Sequence, residues 1–106
     1  MQKGEKLLKI TDCDLLTTVG PVEGFLLIST DKVTFSGDGT GHQLLIPIEA
    51  IKEANRGDNP IVPGQEYMEI VTEDYSKFRF TRFFRFEKSF NYLKKAINLE
   101  KDAPGM

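Results

Sequence analysis

Basic and aromatic side chains alternate along one stretch near the C-terminal end of the chain. Residues 77–88 read KFRFTRFFRFEK, with a cation at every second or third position. Guanidinium groups bind phosphate oxygens through paired hydrogen bonds, and an exposed Phe can enter the interface of a lipid bilayer. This composition predicts contact with an anionic membrane lipid. The candidate lipid-binding residues are Lys77, Arg79, Arg82, Arg85, Lys88, Phe83 and Phe84.

Two other interpretations of this stretch stay open. It could be an ordinary solvated strand face whose phenyl rings fill the core. It could also contact a protein, because Arg and Phe are enriched at the centres of interfaces. A second surface for a protein partner is the apolar loop at residues 60–63, where Ile61 and Val62 are the candidate partner-binding residues. An exposed sheet edge beside Pro47 could dock an extended segment in the same way.

Nothing in the sequence supports catalysis, a metal site or a cofactor. With one Cys and one His, the chain cannot form an internal disulfide or a Cys/His zinc cluster. Cys13 has the spacing of a small buried strand residue, and the neighbouring Asp12 and Asp14 would raise the pKa of its thiol. The glycine-rich segment at residues 37–41 lacks the Gly-Lys-Ser/Thr ending of a phosphate-binding loop. We therefore expect a protein that is not an enzyme.

Length and charge limit the remaining classes. The 106 residues suit a single domain spanning 1–106, with its core at about 7–98. A net charge of −2 gives no overall attraction to nucleic acid. Aromatic–basic alternation also occurs in RNA-binding sheets, but those place two helices between strands, and this chain has a single helical pattern at its end. No apolar run reaches ~18 residues and the N-terminus does not resemble a signal peptide, so we expect a cytoplasmic protein, peripheral at membranes.

The elements that must position these residues are short strands followed by one helix. Apolar alternation and turn residues predict six or seven strands, within residues 7–19, 25–28, 33–35, 44–48, 67–72 and 77–81, with a bulge near Thr11. Pro47 indicates an edge strand or a bulge, and residues 55–64, rich in Gly and Pro, are predicted to form a long loop. The pattern then changes to helical spacing at Phe86, Phe90, Leu93 and Ile97.

The order of these fragments resembles the GRAM domain family. The residues that carry the resemblance are 24–35 (GFLLISTDKVTF), 46–52 (IPIEAIK), 67–72 (YMEIVT), the Phe-rich strand 77–84 and the helix that begins at Phe86. It is closest to the plant GEM-like, abscisic-acid-responsive members, in the entry TTVGPVEG at 17–24 and the loop 59–65. The loop 36–43 is shorter than in that subgroup, and the Trp common in its counterpart of strand 77–84 is absent.

The resemblance implies a mainly β fold, a pleckstrin-homology-like split antiparallel barrel capped by a C-terminal helix. It also implies a module that binds phosphoinositides, membranes or proteins without catalysis. The tight headgroup site of pleckstrin-homology domains uses basic residues in the first strand–strand loop. Its counterpart here, residues 17–24, has no Lys or Arg and contains Glu23. The expectation is therefore weak electrostatic association, worth about 1 kcal/mol per basic residue near an anionic surface. The oligomeric state stays open.

Overall fold

The computed structural model describes residues 6–39, 41–60 and 62–102, which form seven strands and one helix. The strands are β1 (Leu7–Thr17), β2 (Gly20–Ser29), β3 (Lys32–Gly37), β4 (Gln43–Pro47), β5 (Ile51–Asp58), β6 (Glu66–Thr72) and β7 (Lys77–Thr81). A single 3₁₀ turn (Ile48–Ala50) joins β4 to β5, and the helix α1 (Phe86–Asp102) follows β7.

All strand pairs are antiparallel, and the strands lie in the order β4-β3-β2-β1-β7-β6-β5. The sheet does not close, because β4 and β5, which are consecutive in the chain, occupy its two edges. Strand β1 joins the two halves: it pairs with β2 along its whole length and with β7 at Asp14 and Leu15. The expected mainly β architecture with one C-terminal helix is confirmed, and Pro47 lies on an edge strand as predicted.

The core lies between the two halves of the sheet and under α1. Its largest fully buried side chains include Leu26, Ile28, Phe35, Ile48, Ile51, Met68, Ile70, Phe80 and Leu93. The rings of Phe35 and Phe80 are 5.8 Å apart and link β3 to β7 across the core. Strands β2 and β3 approach so closely that a Cβ on Gly24 would lie 2.1 Å from the carbonyl oxygen of Ser36. Only glycine fits at that crossing.

Helix α1 covers the core with the predicted apolar stripe. Leu93 and Ile97 are buried, Phe86 and Phe90 are half-buried, and Ala96 adds a further buried position. Ser89 is also buried, and its hydroxyl oxygen has no hydrogen-bond partner among the described residues.

Arg56 of β5 fastens the start of α1 to the sheet. Its guanidinium lies 4.9 Å from the ring centroid of Phe86 and 5.4 Å from that of Phe90. It also forms ion pairs with Glu66 at 2.7 Å and with Glu87 of the first helical turn. These two carboxylates raise the pKa of Arg56, and Arg56 lowers the pKa of Glu87. The orientation of α1 therefore rests on charge as well as on apolar burial.

Two local expectations were wrong. Residues 55–64 are not one loop, since β5 continues to Asp58 and pairs with β6. Strand β5 has no apolar alternation, because Ile51 and Ala54 are its only buried residues and Gly57 packs under the ring of Tyr67. The bulge in β1 lies between Leu7 and Lys9 rather than near Thr11.

Candidate functional site

The connection between β7 and α1, residues 82–85, follows the C-terminal end of β7 and includes the most exposed aromatic ring of the predicted basic stretch, that of Phe84. Arg82 has a φ of 63°, a left-handed conformation that turns the chain out of β7. Its guanidinium donates to Asp14 of β1, with an Nε–Oδ1 distance of 2.9 Å. The Asp14 side chain is 12% exposed, and this pairing raises the pKa of Arg82. The turn is thus held by an ion pair that neutralises one predicted lipid-binding cation.

The two phenylalanines after Arg82 point in opposite directions. Phe83 packs against the core and meets Phe86 edge-on, with their ring centroids 5.5 Å apart. Phe84 is 82% exposed, and the guanidinium of Arg85 lies 5.3 Å from its ring centroid. Among the described residues, Arg85 forms no ion pair. The junction therefore presents one aromatic ring and an adjacent cation to solvent, while Phe83 has a packing role.

The two strand cations of the predicted set lie apart from this junction. Arg79 donates to Glu69 on β6 at 2.9 Å and stacks at 4.7 Å over the ring of Tyr67. Its hydrogen bond to Glu69 raises the pKa of Arg79. Lys77 is exposed at the start of β7, about 13 Å from Thr81 at the strand rise of ~3.3 Å per residue. The predicted residues are therefore spread along the length of β7 and do not form a single patch.

Lys88 belongs to a basic face of α1 instead. It lines a shallow depression of about 240 Å³ together with Asn91, Tyr92 and Lys95. In the sequence Lys88, Tyr92 and Lys95 are four and three residues apart, which is the spacing of one helix face. The apolar stripe on the other side of the helix is the more prominent pattern. Lys95, which is exposed, is a cation that the sequence prediction did not include.

The loop between β5 and β6 lies beside the junction. Pro63, Gly64 and Gln65 line a pocket of about 360 Å³ with Arg82, Phe83 and Phe86. Asn59 is buried and organises the loop: its side-chain amide donates to Gln65 Oε1 at 2.7 Å, and its Oδ1 accepts from the Val62 backbone N–H at 3.3 Å. Val62 is 44% exposed, whereas Ile61 lies outside the described residues. The two candidate surfaces of the sequence are therefore neighbours.

The β1–β2 turn and the single thiol complete the set of sequence candidates. Thr18 and Val19 form the turn tip, where Val19 is 90% exposed, and the turn has no basic residue. Cys13 is fully buried, and burial, followed by the charge of Asp14, raises the pKa of its thiol to about 12. The thiol is therefore protonated at neutral pH. Among residues 6–39, 41–60 and 62–102, no cluster of three or more His, Cys, Asp or Glu could hold a metal ion.

No helix within the described ranges is both long and apolar enough to cross a membrane.

Comparison with known proteins identifies the family. The sequence profile described as "GRAM domain" matches residues 1–101. Two similar proteins come from Arabidopsis thaliana. "GEM-like protein 4" is 35% identical over 112 residues, covering 93% of this chain and 50% of that protein. "GEM-like protein 7" is 37% identical over 107 residues, covering 89% and 51%. The chain thus spans about half the length of these plant relatives.

Solved structures share the fold at low sequence identity. The "Vps36 N-terminal PH domain" has a TM-score of 0.75 at 11% identity and covers 96% of this chain and 86% of its own. The C-terminal domain of a Leishmania infantum protein has a TM-score of 0.79 at 18% identity, covering 90% and 86%. The "hSac2 domain from human phosphoinositide phosphatase Sac2" has a TM-score of 0.68 at 13% identity, covering 94% and 74%. These likenesses confirm the expected pleckstrin-homology-like fold.

Proposed function

Because the chain belongs to the GRAM domain family, whose fold is consistent with membrane and lipid-binding modules, we propose that it acts as a peripheral membrane adaptor without catalysis. The membrane-contacting surface is the junction end, defined as residues 82–88 of the β7–α1 connection and the first helical turn. Its ligand is an anionic lipid. One protein with this fold is described as a phosphoinositide phosphatase, which makes a phosphoinositide the first lipid to test.

The observation that carries the proposal is the exposed ring of Phe84 with Arg85 beside it. A phenyl ring that is 82% exposed gains free energy when it leaves water, and a bilayer interface accommodates it without a shaped pocket. The adjacent Arg85 and the nearby Lys88 supply charge for anionic headgroups, since neither forms an ion pair among the described residues. Arg79 and Arg82 contribute less, because Glu69 and Asp14 already neutralise them.

The association we propose is weak and governed by charge density. The turn that would hold a lipid headgroup stereospecifically has no basic residue, so the junction end must act through one inserted ring and two cations. Each cation near an anionic surface contributes about 1 kcal/mol and is screened by salt. Binding should therefore rise with the charge of the lipid rather than with the position of its phosphates.

Co-sedimentation with vesicles tests the proposal. Vesicles of phosphatidylcholine with graded fractions of phosphatidylinositol 4-phosphate should retain the chain at 0.05 M NaCl and release it at 0.5 M. Arg85→Glu should weaken binding about thirtyfold, because it loses one favourable charge and adds one repulsive charge of similar size. Phe84→Ala should weaken binding about tenfold through the lost apolar contact.

Matched controls come from the opposite end of β7. Tyr75 is 71% exposed with the Lys52 ammonium 5.5 Å from its ring centroid, so it reproduces the chemistry of the Phe84–Arg85 pair at another place. Tyr75→Ala and Lys52→Glu should bind vesicles as the unaltered chain does. Binding that is insensitive to salt, or equal losses at both ends, would refute the assignment of the junction end.

The second candidate function is a protein-interaction scaffold without direct lipid binding. It is favoured by Val62, which is 44% exposed on a hydrogen-bonded loop beside the junction end. A pull-down that recovers a partner from the chain, and loses it when Ile61 and Val62 are both replaced by Asp, would support this function. If that double variant still binds every partner, the loop at residues 60–63 is not the partner-binding surface.

A further inference from the structure

An apolar groove follows the free edge of β4. It lies near the start of β7, whereas the junction end follows the other end of that strand. It has a volume of about 370 Å³ and lies between β4 and the β6–β7 turn. Its apolar lining comes from Leu44, Leu45, Ile46, Pro47, Ala50 and Phe78. A second depression of about 340 Å³ shares Leu44 and Leu45 and extends the groove toward Gln43. Leu45 is 58% exposed, so apolar surface is continuous along the strand.

The backbone of β4 has unused hydrogen-bonding groups along this groove. Gly37 N–H donates to His42 O, and Ile48 N–H donates to Asp31 O, each at 2.8 Å. In an antiparallel ladder these bonds alternate along the strand, so Leu44 and Ile46 direct their N–H and C=O groups toward β3. Gln43 and Leu45 direct theirs outward. Strand β3 is the single strand neighbour of β4 in the described part of the chain.

Pro47 sets the length of this free edge. It follows Leu45 by two residues, where the next outward N–H would lie, and proline has no N–H to donate. An added strand could therefore pair with the outward backbone groups of Gln43 and Leu45. Beyond Leu45, strand β4 has no further outward N–H to donate to it. A short pairing segment fits this edge better than a long one.

The polar rim of the groove is acidic. Glu73 and Asp74 lie in the lining opposite β4. The Glu73 backbone N–H donates to Ala50 O at 2.8 Å, which fixes the turn to the groove floor and leaves the exposed carboxylate outside. Hydrogen bonds from the Thr72 hydroxyl and the Ser76 N–H lower the pKa of Asp74, so it is anionic at neutral pH. No basic residue lines the groove.

We propose that this groove binds an extended peptide segment of a partner protein, which adds as a strand to β4. Apolar side chains at alternate positions of the segment face Leu44 and Phe78, and a Lys or Arg at one end meets Glu73 and Asp74. This site is independent of the membrane contact, because it lies at the other end of β7. A chain with both sites would hold a basic–apolar protein segment at an anionic membrane.

Two libraries of acetylated, amidated nonapeptides test the proposed occupant. Both contain Val, Ile, Leu or Phe at alternate interior positions with Ser or Thr between them. One library has Lys at both ends and the other has Glu. We expect the Lys library to bind at least about tenfold more tightly in fluorescence anisotropy, since at the peptide end beside the acidic rim charge reversal replaces attraction to Glu73 and Asp74 by repulsion. Glu73→Lys should remove or invert this preference.

The pairing of backbones is tested by a matched pair of variants. Leu45→Pro removes the outward N–H of Leu45 without removing a bond to β3, and should weaken binding of the Lys library about tenfold. Leu45→Thr keeps the N–H and a strand-favouring side chain, and should stay within about threefold. Circular dichroism and thermal melting of both variants would verify that each is folded.

Three results of the peptide-binding experiments would overturn the proposal. They are equal binding of the two libraries, binding that Leu45→Pro leaves unchanged, and no binding of either library at millimolar concentration. Sedimentation of the chain alone tests whether a second copy of this chain, rather than a partner peptide, occupies the edge. A concentration-dependent dimer that Leu45→Pro dissolves would show that a second copy of this chain fills the edge, which also contradicts a partner peptide. None of these results would alter the expected binding to vesicles.

Discussion

The two ends of strand β7 share several structural features but have different charged residues beside them. At each end a non-glycine residue has a left-handed backbone, Tyr75 with φ 68° and Arg82 with φ 63°. Each end also exposes an aromatic ring with a cation beside it, Tyr75 with Lys52 and Phe84 with Arg85. The turn end, residues 73–77, combines the carboxylates of Glu73 and Asp74 with Lys77, whereas the junction end is followed by the basic face of α1.

The difference shows that exposure of an aromatic ring does not by itself define a ligand. The ligands we propose differ because the charged neighbours differ: the carboxylates of the groove rim favour a cationic segment, and Arg85 beside Phe84 favours an anionic surface. The two ends are also fastened differently. Arg82 is held by an ion pair to Asp14, while the turn around Tyr75 is held by hydrogen bonds within residues 72–76, where neutral donors bind the Asp74 carboxylate.

The largest effect on stability is expected from removing the ion pair of the junction end. Arg82→Ala leaves the Asp14 side chain, which is 12% exposed, without its cation. We expect a loss of about 1–2 kcal/mol in the free energy of unfolding, below the value for a fully buried pair because the Arg82 side chain is 47% exposed. Urea unfolding measures this loss. At the turn end, Lys52→Ala should change stability by less than about 0.5 kcal/mol, and equal losses would contradict the comparison.

The next effect separates backbone strain from side-chain contact. At a positive φ, a residue with a Cβ is disfavoured by roughly 1 kcal/mol relative to glycine. We therefore expect Arg82→Gly to be about 1 kcal/mol more stable than Arg82→Ala, and Tyr75→Gly to exceed Tyr75→Ala by a similar amount. Thermal melting compares the four variants. Gly and Ala variants of equal stability at either end would show that the turn relaxes out of the left-handed conformation.

The smallest effect concerns one carboxylate at each end. The pKa values of Asp74 and Glu87 are both lowered, by hydrogen bonds from Thr72 and Ser76 in the first case and by the Arg56 guanidinium in the second. A lowered pKa in the folded state contributes stability above the unfolded pKa, which is lost as the pH falls through the folded value. Both contributions should therefore begin to fall as the pH drops toward about 4, the ordinary range of these carboxyls, and be lost below their lowered folded pKa values.

Salt should distinguish these two carboxylates. NMR titration in 1 M NaCl should bring the pKa of Glu87 back toward its ordinary value, because its exposed pairing with Arg56 is electrostatic and screened. The pKa of Asp74 should stay low, because neutral donors within its own turn lower it. The same salt response at both carboxylates would contradict this assignment of causes.

The local patterns of the sequence were sufficient for the elements that have a regular period. The stripe of α1, the alternation of β7 and the edge position of Pro47 were predicted correctly, since each depends on residues near one another in the chain. Strand β5 was missed because it buries few side chains and contains Gly57. Its place in the sheet comes from pairing with β6, which no local pattern contains.

The candidate site was less predictable for the same reason. Alternation placed five cations on one stretch, but Arg82 and Arg79 are neutralised by Asp14 and Glu69, which lie 68 and 10 residues away in the sequence. The sequence alone does not show which of Phe83 and Phe84 packs against the core. They differ in the structure because the left-handed backbone at Arg82 and the packing of Phe86 turn the first ring inward and leave the second exposed.

Tryptophan fluorescence measures membrane contact of the junction end most directly, because the chain has no Trp of its own. Phe84→Trp and Tyr75→Trp each introduce a single reporter, one at each end of β7. Anionic vesicles with brominated acyl chains should shift the emission of the Trp at position 84 to the blue and quench it. The Trp at position 75 should stay unchanged. Quenching of both reporters, or of the reporter at position 75 alone, would contradict the proposed membrane contact.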